Sequence, residues 1–415
     1  MAFFPRRRIL LEMKALYLDW AATTPVDPAV QAAMEPYLTE QFGNPNSLHS
    51  FGQAAQAAQD RAREALAKAI GARFREIIFT GSATEANNLA LRGTVKQFQI
   101  ANLKAQNKKP KIIISAIEHE SVLETARDLG RDGVEVVEIP VDSSGVIDLK
   151  KLEAALDERT VLVSVMYASN EIGTVQPIPE IAGIIREFRD SLNPKPDTLY
   201  PLFHTDAVQA FAYLGCDVEN LGVDLMTLSA HKICGPKGAG ILYRKDLGAD
   251  HNYLASILTG GGQEFGLRAG TQNVAGIVGF AVAAERATHV RAEEVERMAA
   301  LGNLFWTELS KKITGVILNG VPPEVRRTGA VPNIWSVSFP RHCARDLVVR
   351  LDMAGVAVSA GAACSSRSPK ESYVLAALGI SKERVANGVR FSFGQGTTEA
   401  DIREAVARIA AAVTE

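Results

Sequence analysis

Leu225-Met226-Thr227-Leu228-Ser229-Ala230-His231-Lys232-Ile233-Cys234-Gly235-Pro236-Lys237-Gly238-Ala239-Gly240 is the stretch on which the reading of this chain turns. Residues 225–228 form a short apolar run of the kind that makes a buried strand. The strand delivers Lys232 to its carboxyl end, and a Gly-rich turn returns the chain to a second apolar run at 240–243. A lysine held there, partly desolvated and near other cations, has its pKa lowered and can form a Schiff base. Taken alone, a surface lysine in a turn is the commoner meaning of such a motif.

Working outward, further apolar runs at 77–79, 112–114, 134–139 and 161–165 alternate with helix-like stretches at 54–70, 85–98 and 149–156. Alternation of this kind predicts an α/β fold, a largely parallel sheet with helices on both faces. Ligands bind such sheets at the carboxyl ends of the strands. Residues 99–111 and 191–198, rich in Lys, Asn, Gln or Pro, read as loops. An Ala- and Glu-rich helix over 280–309 is expected to bridge to a smaller α+β unit. That unit has strands near 334–339, 356–359 and 389–393 and a closing helix from Glu399. No fixed-period repeat is present.

Composition narrows the function classes. The 415 residues are 47% apolar and 22% charged, with a net charge of −2. That balance gives no electrostatic case for nucleic acid or an anionic membrane. No apolar run approaches the roughly 18 residues a membrane span needs. The four cysteines, at 216, 234, 343 and 364, make no C-x-x-C pair. A structural zinc or iron–sulfur site within this chain is therefore not expected, and the pattern fits a reducing cytosol. Residues 1–14, with Arg6-Arg7-Arg8, read as a disordered extension. They are either an organellar targeting peptide or the product of a mis-called start with Met13 the true one.

Four more motifs fall at predicted strand ends. Asp206, in His204-Thr205-Asp206-Ala207-Val208-Gln209, can pair with a protonated pyridine nitrogen, or it can simply cap a helix. Gly81-Ser82-Ala83-Thr84-Glu85 lets backbone N–H groups approach an anion at a helix start, with the Thr84 hydroxyl adding a donor. His119, in Glu118-His119-Glu120, gains weight only from sharing this edge. Cys364 lies among Gly361, Ala362, Ala363, Ser365 and Ser366, an exposed, small-residue setting that suits a nucleophile better than a core thiol. Cys234, near the lysine motif, is its main competitor.

The order of these motifs resembles that of the class V, fold-type I aminotransferase group, specifically the cysteine desulfurases of the NifS/IscS type. The match also takes in Tyr17 to Asp19, Ala21 to Pro25, Gly43-Asn44-Pro45, Asn170-Glu171-Ile172-Gly173, Gly260 to Glu264, Gly270-Thr271 and Arg390-Phe391-Ser392. It covers the chain from about residue 15 onward. The resemblance implies a fold-type I transferase, with a mainly parallel seven-stranded sheet and a smaller α+β domain. The large domain would span 27–290, and the small one 15–26 with 291–415. It implies pyridoxal 5'-phosphate held covalently on Lys232, with Asp206 at the pyridine nitrogen, Gln209 at the phenolic oxygen and His119 over the ring. Ala83, Thr84, Ser229 and His231 would hold the phosphate, with Thr271 of the other subunit of a homodimer. Asn170 and Arg390 would bind the carboxylate of L-cysteine, an Arg fork suiting that job. Cys364 would take the sulfur as a persulfide and pass it to an acceptor or iron–sulfur scaffold protein. No metal is implied.

Several positions depart from the family pattern: Trp20, the order Gly81-Ser82, Phe265, and Pro369-Lys370-Glu371. A selenocysteine lyase would share the fold, cofactor and cysteine. A non-catalytic scaffold that docks acceptor proteins would have no need of Lys232, Asp206, His119, Cys364 and Arg390 together.

Overall fold

The computed structural model describes residues 14–102, 109–192, 200–248, 252–361 and 371–414. Twelve strands are formed among these. They are β1 (Leu16–Tyr17), β2 (Ile77–Thr80), β3 (Lys111–Ser115), β4 (Glu135–Ile139), β5 (Thr160–Ser164), β6 (Leu202–Asp206), β7 (Leu225–Ser229), β8 (Gly240–Arg244), β9 (Ile317–Leu318), β10 (Ile334–Ser338), β11 (Val356–Ala357) and β12 (Gly388–Ser392). Seven make one sheet in the order β2-β8-β7-β6-β5-β3-β4. From β7 to β4 every pairing is parallel, and β8 alone runs against both its neighbours.

Period-two alternation makes this sheet the centre of the protein. Ile113, Val163, Phe203, Met226 and Leu228 enter the core on one face. Ile112, Ile114, Leu162, Leu202 and Leu225 enter the core on the other. Both faces are covered, which is why β3, β5, β6 and β7 are buried at every residue. The return strand β8 packs tightly on the first cradle loop. A Cβ at Gly240 would lie 2.7 Å from the Ser82 carbonyl carbon and 3.0 Å from the Ala83 nitrogen, so only glycine fits.

A second core gathers Leu16, Leu18, Phe305, Trp335, Val337, Phe391, Phe393 and Ile402 around the antiparallel sheet β12-β10-β9. The helix Val274–Lys312, 39 residues and so about 58 Å long, serves both cores. Phe280 and Ala284 enter the first, Phe305 and Leu309 the second. β1 pairs with β11 in parallel. The described residues therefore start in the second core and cross into the first.

The expected elements are found with shifted ends. The helix begun near 85 runs Ala83–Ala101, so residues 99–101 are helical and not loop. Lys111 opens β3, its amine paired with Asp157 at 2.7 Å and bonded to the Ala155 carbonyl. Its polar side chain hid the strand start. Residues 103–108 and 193–199, the centres of the two expected loops, lie outside the described residues, as does the extension before Lys14.

One buried ion pair was not expected. Arg63 and Glu264 meet at 2.9 Å with both side chains almost wholly buried. Glu264 also accepts from Gln59 Nε2 and the Phe79 N–H. It sits with Phe265 in the left-handed backbone region, at φ 47° and 57°. Truncating one partner strands the other charge, so Arg63→Ala should cost about 3–5 kcal/mol. A thermal or urea midpoint indistinguishable from the parent would show the pair to be dispensable.

Candidate active site

The strand ends of β2, β3, β5, β6 and β7 converge on a cavity of ≈ 180 Å³. Ala83, Thr84, His119, Asn170, Asp206, Gln209, His231, Lys232 and Arg390 all line it, together with Ala21, Ala22, Ser82, Met166 and Ala168. Ser229 is buried at the end of β7 and is not part of this lining. Thr271 is exposed and also stands outside it. Cys364 lies outside the described residues.

Lys232 ends a short 3-10 turn, Ala230–Lys232, directly after β7. Its amine donates to the carbonyls of Ala21 and Ala22 at 2.5 and 2.8 Å. Gln209 Nε2 donates to the same Ala21 carbonyl at 2.9 Å. Asp206, 7% exposed, accepts from the Val208 N–H at Oδ1 and from Asn87 Nδ2 at Oδ2, at 3.0 and 2.8 Å. Asn87 was missed in the sequence. The available signal was a weak helix former one turn into an amphipathic helix, on the face carrying Ala83.

The helix Ala83–Ala101 is N-capped by Ser82, whose Oγ accepts the Glu85 N–H at 3.1 Å. Glu85 reaches back to the Gly81 N–H at 2.8 Å and pairs with Arg268 at 2.8 Å. A true cap thus coexists with the anion cradle, because its acidic partner points away to Arg268. Ser82, Ala83 and Thr84 at this helix start line the cavity, where the first N–H groups of a helix lack intrahelical partners and suit an anion.

His119 caps the helix Glu120–Arg131, its Nδ1 accepting the Ser121 N–H at 3.1 Å. That bond puts the proton of the neutral ring on Nε2. Burial holds its pKa below the ordinary range, helped by the nearby Lys232 charge and opposed by Asp206. Burial likewise pushes His231 down to about 4, with Lys232 and Lys237 adding to it. Both rings are neutral donors near pH 7. His204, from the same motif as Asp206, is a core residue. It is bonded to Ser164 Oγ and Thr227 Oγ1 on the flanking strands and pushed down to about 4 by burial.

These residues fit pyridoxal phosphate. The donor set offers an amine for an aldehyde, a buried carboxylate for a ring N–H, and a helix start with hydroxyl and imidazole donors for a phosphate. Arg390, 2% exposed on β12, reaches the cavity from the second core. It donates to Asp19 Oδ1 and to the Asn170 carbonyl, both at 2.8 Å. Among the described residues no group of three or more His, Cys, Asp or Glu is placed to hold a metal. No described helix is long and apolar enough to cross a membrane.

Residues 16–404 match the family model for class-V aminotransferases. The cysteine desulfurase IscS of Dictyoglomus turgidum is 42% identical over 94% of this chain and 92% of its own length. Among solved structures, a NifS-like protein covers 96% of this chain and 99% of its own at 35% identity, with a TM-score of 0.85. SspA, solved in complex with cysteine, covers 91% of this chain and 98% of its own at 32% identity, with a TM-score of 0.73. The chain belongs to the class-V aminotransferases and, within them, to the cysteine desulfurases of the NifS/IscS type, as the order of its motifs implied.

Glu118, beside His119, is fully buried, and burial pushes its pKa up to about 8 against Ser115 and Met166 donors that lower it. The folded chain keeps this proton to about pH 8, whereas the unfolded chain releases it near 4.5. Between those values the folded state binds more protons, so its stability falls as pH rises. Glu118→Gln should remove this component, worth on the order of a few kcal/mol. Unfolding curves of parent and variant from pH 5 to 8 would test this, and parallel slopes would refute it.

Proposed function

We propose that this chain is a pyridoxal-phosphate-dependent enzyme that converts L-cysteine to L-alanine and leaves a persulfide on Cys364. The observation that carries the reading is one cavity holding Lys232, Asp206, His119 and Arg390 at the strand ends. The cofactor would be held by Lys232, Asp206 and Gln209, with Ala83, Thr84, Ser229 and His231 about its phosphate and Thr271 supplied by the second subunit of a homodimer. Bound there, it supplies an electron sink at the substrate's α-carbon.

The chain's own residues do the rest. Arg390 and Asn170 orient the substrate carboxylate. Lys232 takes the α-proton, and the neutral His119 hands protons through Nε2. The Cys364 thiolate attacks the substrate sulfur. The carbon–sulfur bond breaks, a sulfur–sulfur bond forms, and protonation of the carbon fragment gives alanine. Cysteine plus thiol thus equals alanine plus persulfide, with no outside oxidant. The persulfide sulfur would pass to an acceptor protein in the cytoplasm, for iron–sulfur cluster assembly or other thio-cofactors. The two hydrophobic cores favour a large unit over 27–290 and a small one from 15–26 with 291–415. The name of the cysteine-bound SspA favours cysteine over selenocysteine as substrate.

Two experiments test this. The purified protein should be yellow and Lys232→Ala colourless. Retained visible absorbance of covalently bound cofactor in that variant would remove Lys232 from its role. Cys364→Ser should bind cofactor and cysteine yet release no alanine, while Cys234→Ser keeps substantial turnover. Mass spectrometry after cysteine treatment should place the persulfide on Cys364. A persulfide on Cys234 or Cys343 alone would overturn the assignment.

A further inference from the structure

The segment Asp19–Ala22 touches both of the cavity's key basic side chains. The Ala21 and Ala22 carbonyls accept from Lys232, and the Asp19 carboxylate accepts from Arg390. The first contact concerns the reacting end of the cavity. The second has no part in the reaction described above, and it is the more specific of the two.

Arg390 comes from β12 of the second core and is 2% exposed. A guanidinium has five N–H groups in a rigid plane. Here one terminal nitrogen is taken by Asp19 Oδ1 and the other by the Asn170 carbonyl, and Nε is buried without a partner among the described residues. Two partners, one on each terminal nitrogen, fix both the place of the fork and the orientation of its plane. Asp19 is itself held. Its Oδ2 accepts the Ser359 hydroxyl at 3.0 Å. Ser359 and Arg390 exchange two backbone hydrogen bonds, at 3.3 and 2.7 Å. Asp19 bridges to Ser392, and Ser392 Oγ accepts the Ala21 N–H at 2.9 Å. Asp19, Ser359 and Arg390 thus form a closed triangle, of which Arg390 lines the cavity.

We propose that Asp19 is a positioning residue for substrate selection: it fixes the Arg390 guanidinium so that the remaining N–H groups meet an α-carboxylate, and so sets the preference for amino acids over their uncharged analogues. This rests on reading Arg390 as the carboxylate fork. Asp19 also competes for that charge, so its net effect has a sign that experiment can read. If orientation dominates, removing the Asp19 charge weakens carboxylate binding. If competition dominates, removal strengthens it. The geometry points to orientation. The Asp19 bond takes one N–H of five, and an arginine with an unfixed plane loses side-chain freedom on each binding event.

The test is a titration of the full-length, cofactor-loaded enzyme with L-alanine and with L-alaninamide, which lacks the negative charge. It requires no turnover. In Asp19→Asn the dissociation constant for L-alanine should rise about tenfold, the order expected for one charge-assisted contact. That for L-alaninamide should stay within about twofold of the parent, inside the scatter of a single neutral contact. Ser359→Ala leaves Asp19 charged but releases its second oxygen, and should raise the L-alanine constant roughly two- to threefold. If Asp19→Asn does not fold, this second variant decides. Equal weakening of both ligands would reduce Asp19 to a structural role. Unchanged or tighter L-alanine binding in the variants would overturn the proposal. A parent that binds L-alanine with this preference yet makes no alanine from cysteine would instead overturn the assigned reaction and leave the positioning role standing.

Discussion

The hydrogen bonds from the Lys232 amine to the carbonyls of Ala21 and Ala22 are the join on which the rest of the cavity depends. They link a strand end in the middle of the sheet to a crossing segment more than two hundred residues earlier. The join is zipped on both sides. Thr24 exchanges with the lysine turn through its N–H to the His231 carbonyl and its Oγ1 to the Cys234 N–H, at 3.1 and 2.9 Å. On the other side the Ser392 N–H donates to the Leu18 carbonyl and the Ser392 Oγ accepts the Ala21 N–H. A segment bonded at once to β7's end and to β12 sets the spacing of Lys232 from Arg390. That spacing joins the two cores, since one basic group belongs to each.

Burial then decides the charge state of what surrounds those groups. Taking an ion out of water costs several kcal/mol unless it is paired and hydrogen-bonded. Each buried group here meets the demand differently. His119 and His231 give up their proton because desolvation dominates, aided at both by the Lys232 charge and opposed at His119 by Asp206. Glu118 keeps its proton because desolvation disfavours its charged form, with the Asp206 charge adding to it. Asp206 has two N–H donors, and Arg390 has a carboxylate. The result is a cavity with neutral donors beside a few fixed charges, in which electrostatic contacts are stronger than in water. A substrate entering it meets groups already oriented, so little reorganisation remains when charge develops.

Much of this was legible because the sheet is buried on both faces. Such strands read as continuous apolar runs, and β2, β3, β5, β7 and β8 stand within a residue or two of where the runs placed them. The Gly-rich return after Lys232 was visible too, and Gly240 proves to be where β8 meets the Ser82–Ala83 backbone. What stayed hidden depends on partners distant in sequence. Arg63 and Glu264 are 201 positions apart, and Asp19 and Arg390 are 371 apart. Lys111 looked like loop because its charge is answered by Asp157 and Ala155, which no local pattern shows. His204 shares a motif and a strand face with Asp206, but it stands two residues back from the strand end and is bonded between Ser164 and Thr227 of the flanking strands.

The cysteines show how structure narrows a choice the sequence left between two residues. A thiol reacts as thiolate, so a raised pKa removes it from contention near neutrality. Burial pushes Cys216 up to about 12, a fraction of roughly one in 10⁵ ionised at pH 7. Burial also raises Cys234, which sits in the left-handed region at φ 61° and lines a separate cavity behind Lys232 with Trp20 and Tyr213. Cys234 has proximity without ionisation or access to the substrate side. Cys343 is exposed, just before the helix Ala344–Met353 that packs on the second core. The flanks of the segment carrying Cys364 are placed differently. Ser372 donates to Glu171 at 2.6 Å, and a Cβ at Gly361 would lie 3.4 Å from the same carboxylate. Glu171 follows Asn170, whose carbonyl holds Arg390. Both flanks therefore abut the wall that carries Asn170 and Arg390, the residues proposed to hold the substrate carboxylate.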